Sequence, residues 1–510
     1  MIDESQSPLA GSSLRIVSKV DLDDFLTRED AADVVRAASF EEIFFTVKQL
    51  GLGDSLDLLP FVTSRQIRGC IDLDCWRKDT FMPRPFMEWL AAFIQSGPEE
   101  TVRALTSIDD AVVALFLKDL IEVYEVDRDD PPTGVRLIFT PDHRFGVEPM
   151  GEGEEAVIAM PVLDALFKYN PKLGSRVLSN VRYTTRMELE ETAFDNKNRR
   201  LEAHGFVDYY EALSIYGGPE PGSAGLPAER GLDVEEIPGE ETPGNLPAVF
   251  ADTLSGADFL LDAIGRIDDP AESDRLAQEL TALGNRILSA NLVNLGEIEQ
   301  IRPALEEMRD TLSIGMELMT GGHPERAPGV LRTSYIQTVF KVGFDRTARL
   351  RERAHALASL PQFLPAMLDS GDQGFLEGLR RFKPLFLESG RLRNFSSVAE
   401  IESAAARLAE LEAMTRAMLG LFPILIDTFS RTFNTALLHL AIDGPFEPAP
   451  LDPRAVEVWM AAGMTLPTPE IPAAIAPFAE RWVKEMRAEL EPLRGKRLDP
   501  RFVGTVLLKL

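Results

Sequence analysis

Cysteine, histidine and basic residues are all scarce in this 510-residue chain, and each scarcity excludes something. The two cysteines, Cys70 and Cys75, stand five residues apart in RGCIDLDCW. That spacing is not C-x-x-C, and no further Cys or His lies close enough in sequence to complete a zinc set. Two cysteines in so long a chain rule out a disulfide-stapled scaffold and fit buried thiols in a reducing compartment. The five histidines fall on separate segments, so no triad or metal cluster is visible. There is no Walker-A loop, no strand-bound GxGxxG, no GxSxG elbow and no HExxH. GEGEE at 151–155 is a glycine–acid turn with no lysine to meet a phosphate. Lys and Arg number 53 against 82 Asp and Glu, a net charge of −29. Such a surface repels nucleic acid and anionic membranes and favours a basic partner. The longest apolar run, MLGLFPILI at 418–426, is too short to span a bilayer and contains Pro423. The opening MIDESQSPLAGSS has neither the positive region nor the apolar region of a signal peptide. The expectations are a cytoplasmic protein with no membrane insertion, no nucleic-acid partner, no cofactor and no metal. Missing motifs lower the weight of an enzyme without excluding one, since sites can assemble from distant residues.

Helix is abundant. DLDDFLTREDAADVVRAAS, FEEIFFTVKQLG, SRQIRGCIDLDCW, PRPFMEWLAAFIQSG, PEETVRALTS and DDAVVALFLKDLIEVYEV each read as short helices bounded by Ser, Thr, Asp, Pro or Gly. Ser64 and Asp109 can cap the helices they precede, and Pro98 with Glu99 and Glu100 makes a favourable first turn. Short helices with brief connections predict a degenerate helical-repeat array in a mainly α protein. VRLIFT and RFGVEP around a PDH turn predict one small β-hairpin. The expected organisation is a tail at 1–20, the array at 21–133, the hairpin at 134–150 and a helical continuation at 151–218. An acidic Pro/Gly-rich linker at 219–247 then leads to a C-terminal helical domain at 248–510. In that last part, the helix of 333–360 carries Arg346, Arg349, Arg351 and Arg353. Arg346, Arg349 and Arg353 are candidates for an anion site, set against internal ion pairing with the acidic surface.

The stretch 186–217, RMELEETAFDNKNRRLEAHGFVDYYEALSIYG, is the densest mix of charge, amide and aromatic groups. Met187, Phe194 and Leu201, with Leu189 and Ala193, predict an apolar stripe on a helix of about five turns that stops at Gly205. A second face carries Glu188, Glu191, Asp195, Asn198 or Arg199, and Glu202, with Asp195 placed to pair with Arg199. Charged faces at this spacing are usually solvated. Two functional readings follow. In the leading one, the protein is a scaffold or regulator that binds another protein on a helical surface, with Arg199, Arg200, Tyr209 and Tyr210 as contacts. In the alternative, it is an enzyme or a ligand or metal sensor. Its polar pocket would lie around residues 188–204, formed by Glu191, Asp195, Asn198 and Arg199. The only nearby histidine, His204, does not complete the Glu-x-x-His pattern of di-iron bundles.

Four segments taken together resemble a family of uncharacterised bacterial proteins defined only as a domain of unknown function. They are IDLDCW, ETAFDNKNRRLEAHGFVDYYEALSIY, FKVGF with its arginine-rich helix, and LDPRFVGTVLL. The resemblance spans most of the chain outside the linker and the first 20 residues. It implies a bacterial, soluble, single-family protein and supplies no activity, cofactor or catalytic residue. The stretch LLPFVTSRQIRGCIDLD also looks like the helical superhelix modules of magnesium-transporter cytoplasmic domains and flagellar switch proteins. That likeness of helix pattern implies no function.

Overall fold

The computed structural model describes Leu14, Ile16 and residues 18–129, 137–150, 154–218, 247–254, 258–267, 269–360, 368–418, 429–442, 444–449, 451–465, 473 and 476–498. Most of the expected tail at 1–20, nearly all of the acidic linker and most of the apolar run at 418–426 lie outside these residues; of the tail, Leu14 and Ile16 are buried and Lys19 and Val20 begin the first helix. The protein is mainly α. The chain divides into two compact units, Met1–Val342 and Gly343–Leu510, and the division falls inside a helix.

The first unit begins with α1 (Lys19–Leu26), α2 (Ala31–Ala37), α3 (Phe40–Leu50) and α4 (Ser64–Asp74). A two-stranded ribbon follows, β1 (Trp76–Arg77) with β2 (Thr80–Phe81), then α5 (Pro83–Ser96), α6 (Pro98–Ser107) and α7 (Asp110–Lys118). Thr63, not Ser64, caps α4, closing a capping box with Gln66. Helices α3 and α4 pack as a pair, as do α5 and α6, which fits the expected array. Phe44, Phe86, Trp89 and Phe93 are fully buried between them.

The expected helix through Val126 stops at Lys118 instead. Ile121 and Val123 are buried while Glu122 is exposed, a period of two that selects strand. This strand, β3 (Ile121–Glu125), pairs antiparallel with β5 (Phe145–Pro149). The predicted hairpin forms on the other edge of β5 with β4 (Ile138–Phe139), Ile138 opposite Val147. The hairpin is therefore two strands of a three-stranded sheet, ordered β3-β5-β4.

Next come α8 (Glu154–Tyr169), α9 (Pro171–Tyr183), α10 (Arg186–Glu202) and the short α11 (Tyr209–Ala212). Beyond 219–246 lie α12 (Ala248–Leu254), α13 (Asp258–Ile264), α14 (Pro270–Ala290), α15 (Ile298–Thr320), α16 (Ala327–Thr333) and α17 (Ile336–Ala358). Helices before and after 219–246 share one core: α12 and α15 pack on α3, and α14 packs on α11. Phe45 meets Phe250 across this seam, with ring centroids 5.6 Å apart.

The second unit holds the rest of α17, α18 (Ser370–Arg380), the ribbon β6 (Phe386–Glu388) with β7 (Arg391–Arg393), α19 (Val398–Met418), α20 (Phe429–Ala441), α21 (Pro453–Ala461) and α22 (Ala476–Leu490). Phe433 and Trp482 anchor it edge to face, centroids 4.9 Å apart. No helix among the described residues is long and apolar enough to cross a membrane.

Candidate functional site

Helix α10 organises the site because it carries two unlike faces. Its start is set by Thr185, whose hydroxyl accepts the Glu188 N–H while the Glu188 carboxylate accepts the Thr185 N–H at 2.9 Å. Its buried face is Leu189, Ala193 and Leu201, with Phe194 half-buried. Met187, expected in that stripe, is 77% exposed. The same face also holds charge. Lys197 is half-buried, and Arg200 donates to Asp72 through Nε (2.7 Å) and Nη2 (2.8 Å) and to Asp109 through Nη1 (2.7 Å). Asp72 is 2% exposed, and burial pushes its carboxyl up against the opposing pull of Arg200. Asp109 stands at the start of α7 as expected, but its carboxylate goes to Arg200 rather than capping. Arg200, expected as a partner contact, is thus an internal ion-pair residue.

His204, two residues past the end of α10, is buried in the core. Its Nδ1 lies 2.9 Å from Glu41 Oε1, its Nε2 lies 3.4 Å from Arg65 Nη2, and its backbone carbonyl accepts from Asn285 at 2.8 Å. With Arg65 donating to Nε2, the Nδ1–H donates to Glu41. Glu41 and Glu42 are both buried in α3. Glu42 accepts the Leu14 N–H, its other oxygen meets nothing, and burial pushes its carboxyl up to about 7. Nearby, Asp74 accepts from Lys48 at 2.5 Å and from Trp89 Nε1 at 2.7 Å. Cys70 and Cys75 are buried free thiols in this region, and burial raises both well above the usual range. Among the described residues no group of three His, Cys, Asp or Glu is placed to hold a metal ion.

The opposite face of α10 is the expected charged one, and it is solvated. Glu191, Asp195 and Arg199 are exposed and Asn198 is half-buried. None of the four makes a hydrogen bond to another among the described residues, and the expected Asp195–Arg199 ion pair does not form. The four side chains are not buried together as a pocket at 188–204 requires.

This face runs instead toward a groove of about 340 Å³ at the end of the helix. Glu202 at the end of α10, Ala203 just after it, Gly205, Val207 and Glu211 line one side. Glu279, Ala282, Leu283 and Arg286 of α14 and Tyr335, Ile336 and Gln337 at the start of α17 line the other. Gly205 shapes the corner: its φ is +85°, and an added Cβ would stand 2.5 Å from the Ala282 carbonyl oxygen. Arg286 Nη2 donates to Glu211 at 2.5 Å and Nη1 to Gln337 at 3.3 Å, while its buried Nε–H has no acceptor. Glu279 accepts the Ile336 N–H at 2.9 Å. Glu202 is exposed and has no partner among the described residues. The groove therefore presents three carboxylates over a floor of Leu283 and Ile336: Glu211 is paired with Arg286, Glu279 lies 3.6 Å from the Arg275 Nε, and Glu202 is unpaired. Tyr209 and Tyr210 flank it on α11, stacked edge to face at 5.3 Å, with Tyr210 80% exposed. Sequence reasoning missed Glu279, Arg286 and Tyr335 because they come from helices far along the chain.

The arginine face of the second unit is largely neutralised. Arg349 pairs with Asp345 at 2.8 Å, Arg353 reaches both Glu412 oxygens at 3.1 and 3.2 Å, and Arg351 donates to the Phe382 carbonyl. Arg346 is half-buried, with an Nε that has no acceptor.

Residues 7–462 match the model of a family of unknown function, DUF6178, and the chain belongs to that family. The matched range includes residues 219–247 and ends before the terminal LDPRFVGTVLL. No protein of curated function and no solved structure matches the chain.

Proposed function

For this member of a family of unknown function, we propose a partner-binding role: a cytoplasmic scaffold or regulator that receives a basic, partly apolar segment of another protein in the groove beside Gly205. The observation that carries this is an exposed Glu202 carboxylate, unpaired among the described residues, on the rim of a groove floored by Leu283 and Ile336. A free cation would suit Glu202 but leave the apolar floor of Leu283 and Ile336 uncovered. A free anion would suit Arg286 but face three carboxylates. An extended peptide that alternates Lys or Arg with apolar residues supplies a cation for Glu202 and covers the floor. Leu283 and Ile336 take an apolar neighbour, and Tyr209, Tyr210 and Arg199 extend the contact along the rim. The net charge of −29 steers such a segment toward the protein at low salt.

The test is fluorescence anisotropy with short labelled peptides of one length, alternating Leu with Lys, with acetyl-lysine or with Glu. The Lys peptide is expected to bind, to weaken as salt rises, and to lose most of its affinity to Glu202→Lys. Glu202 has no internal partner, so this variant folds normally. Affinity that ignores peptide charge, or no binding to any of the three, overturns the reading.

A further inference from the structure

Glu42 differs from the other buried acids around it. His204 meets Glu41, Arg200 meets Asp72, and Lys48 meets Asp74. Glu42 makes no ion pair among the described residues. One of its oxygens accepts the Leu14 N–H, and the other meets nothing. Leu14 and Ile16 lie ahead of α1 in no regular structure, yet both side chains are buried. Among the described residues, two side chains and that one hydrogen bond hold this segment to the body. A segment held so lightly opens at low cost, without the rest of the core.

A carboxylate taken from water with no cation beside it is destabilised, and either a proton or returning water relieves it. Glu41 is the charged neighbour, and it raises Glu42 further. Its own carboxylate is occupied by His204, with Arg65 of α4 on the far nitrogen of that ring. Helices α4, α12 and α15 and the turn at Gly53–Ser55, which pack on α3, send Glu42 no cation among the described residues. The Leu14 and Ser39 N–H groups favour the charged form, but burial outweighs them and pushes the carboxyl up to about 7. Water can return where Leu14 lies, because its N–H sits on the carboxylate itself.

We propose that Leu14 and Ile16 anchor a proton-dependent strap, docked on α3 while Glu42 is neutral and loosened as Glu42 ionises. With the strap released, Glu42 is solvated and titrates near 4.5; with it docked, near 7. The docked form therefore binds the proton more tightly. Docking is strongest below pH 4.5, weakens as pH rises toward 7, and is constant beyond. The inference stands independently of the groove.

The experiment uses the full chain and dilute trypsin, which cuts after Arg15, between the two anchors. Dilute protease reads the population of the open form. The rate of release of residues 1–15, followed by mass spectrometry, is divided at each pH by that of a free peptide of residues 9–20. For wild type this ratio is expected to rise about tenfold from pH 6 to pH 8.5. Glu42→Gln is expected to give a ratio that does not change with pH. Leu14→Ala is expected to raise the ratio at every pH and keep the wild-type slope. A flat wild-type ratio overturns the proposal, as does cleavage at the free-peptide rate throughout. So does release of 1–15 only together with cuts at Arg65 and Arg68 in α4, which would mean that the segment leaves by global unfolding. The decisive reading is the wild-type profile, so a variant that fails to fold does not rescue the proposal.

Discussion

Glu42→Gln should remove one segment of the protein's pH dependence while leaving the fold intact. Glu42 is 1% exposed on α3, and its carboxyl titrates at about 7 instead of 4.5, chiefly through desolvation. The groups facing it are few: the Leu14 and Ser39 backbone N–H groups favour the charged form, and the adjacent Glu41 opposes it. A folded-state value raised above the unfolded one means the folded protein binds more protons between pH 4.5 and 7. Stability from the neutral carboxyl is therefore fully present below about pH 4.5 and is lost as pH rises through 7. A shift of that size corresponds to about 3 kcal/mol. The Gln amide keeps an oxygen for Leu14 but sets an NH2 where the second Glu42 oxygen meets nothing. That unmet donor costs about 1–3 kcal/mol at every pH. The offset cancels when each protein is compared with itself. Urea denaturation at pH 5 and pH 8 should show wild type losing about 2.5 kcal/mol more than Glu42→Gln over the interval. Parallel curves for the two proteins would refute the reasoning, since they would mean that Glu42 is ionised throughout.

Other predictions test the ion pairs, the corner and the rim. Arg200→Met strands the buried Asp72 and should cost about 3–5 kcal/mol in urea denaturation, with part recovered in Asp72→Asn/Arg200→Met. Gly205→Ala places a Cβ against Ala282 at a φ of +85° and should lower stability by at least about 1 kcal/mol, measured as a lower melting temperature. Tyr210→Ser should change stability by no more than about 0.5 kcal/mol because the ring is 80% exposed, yet weaken the Lys-peptide anisotropy signal.

Much of the architecture was legible because it rests on local signals. Helix α10 begins at its capping box and ends just before Gly205, both written in adjacent residues. The hairpin at 138–149 was legible for the same reason. Its third strand was not, because IEVYE follows a helix without a turn signal and becomes a strand only by pairing with 145–149. The site was harder for a physical reason that α10 states directly. Steps of four run from Leu189 through Ala193 to Lys197, and steps of three and four go on to Arg200 and His204. That line is the buried face of the helix, and its second half is ionic. A reading that equates charge with solvent puts Arg200 outside. The structure puts it inside, because Asp72 on α4 and Asp109 at the start of α7 lie opposite. Nothing in the local sequence announces partners 128 and 91 residues away. The periodicity alone does carry a hint: Lys197, Arg200 and His204 share the phase of Leu189 and Ala193, so they are either buried or wasted. The exposed face is the converse case. Glu191, Asp195 and Arg199 look like a site in one dimension. In three dimensions they form a solvated approach to a groove whose other wall, Glu279 and Arg286, lies on a helix 68 positions or more farther along the chain. The helix can serve two roles because its charges are divided by face. Those turned inward hold α4 and α7 in place, and those turned outward are free to meet a partner.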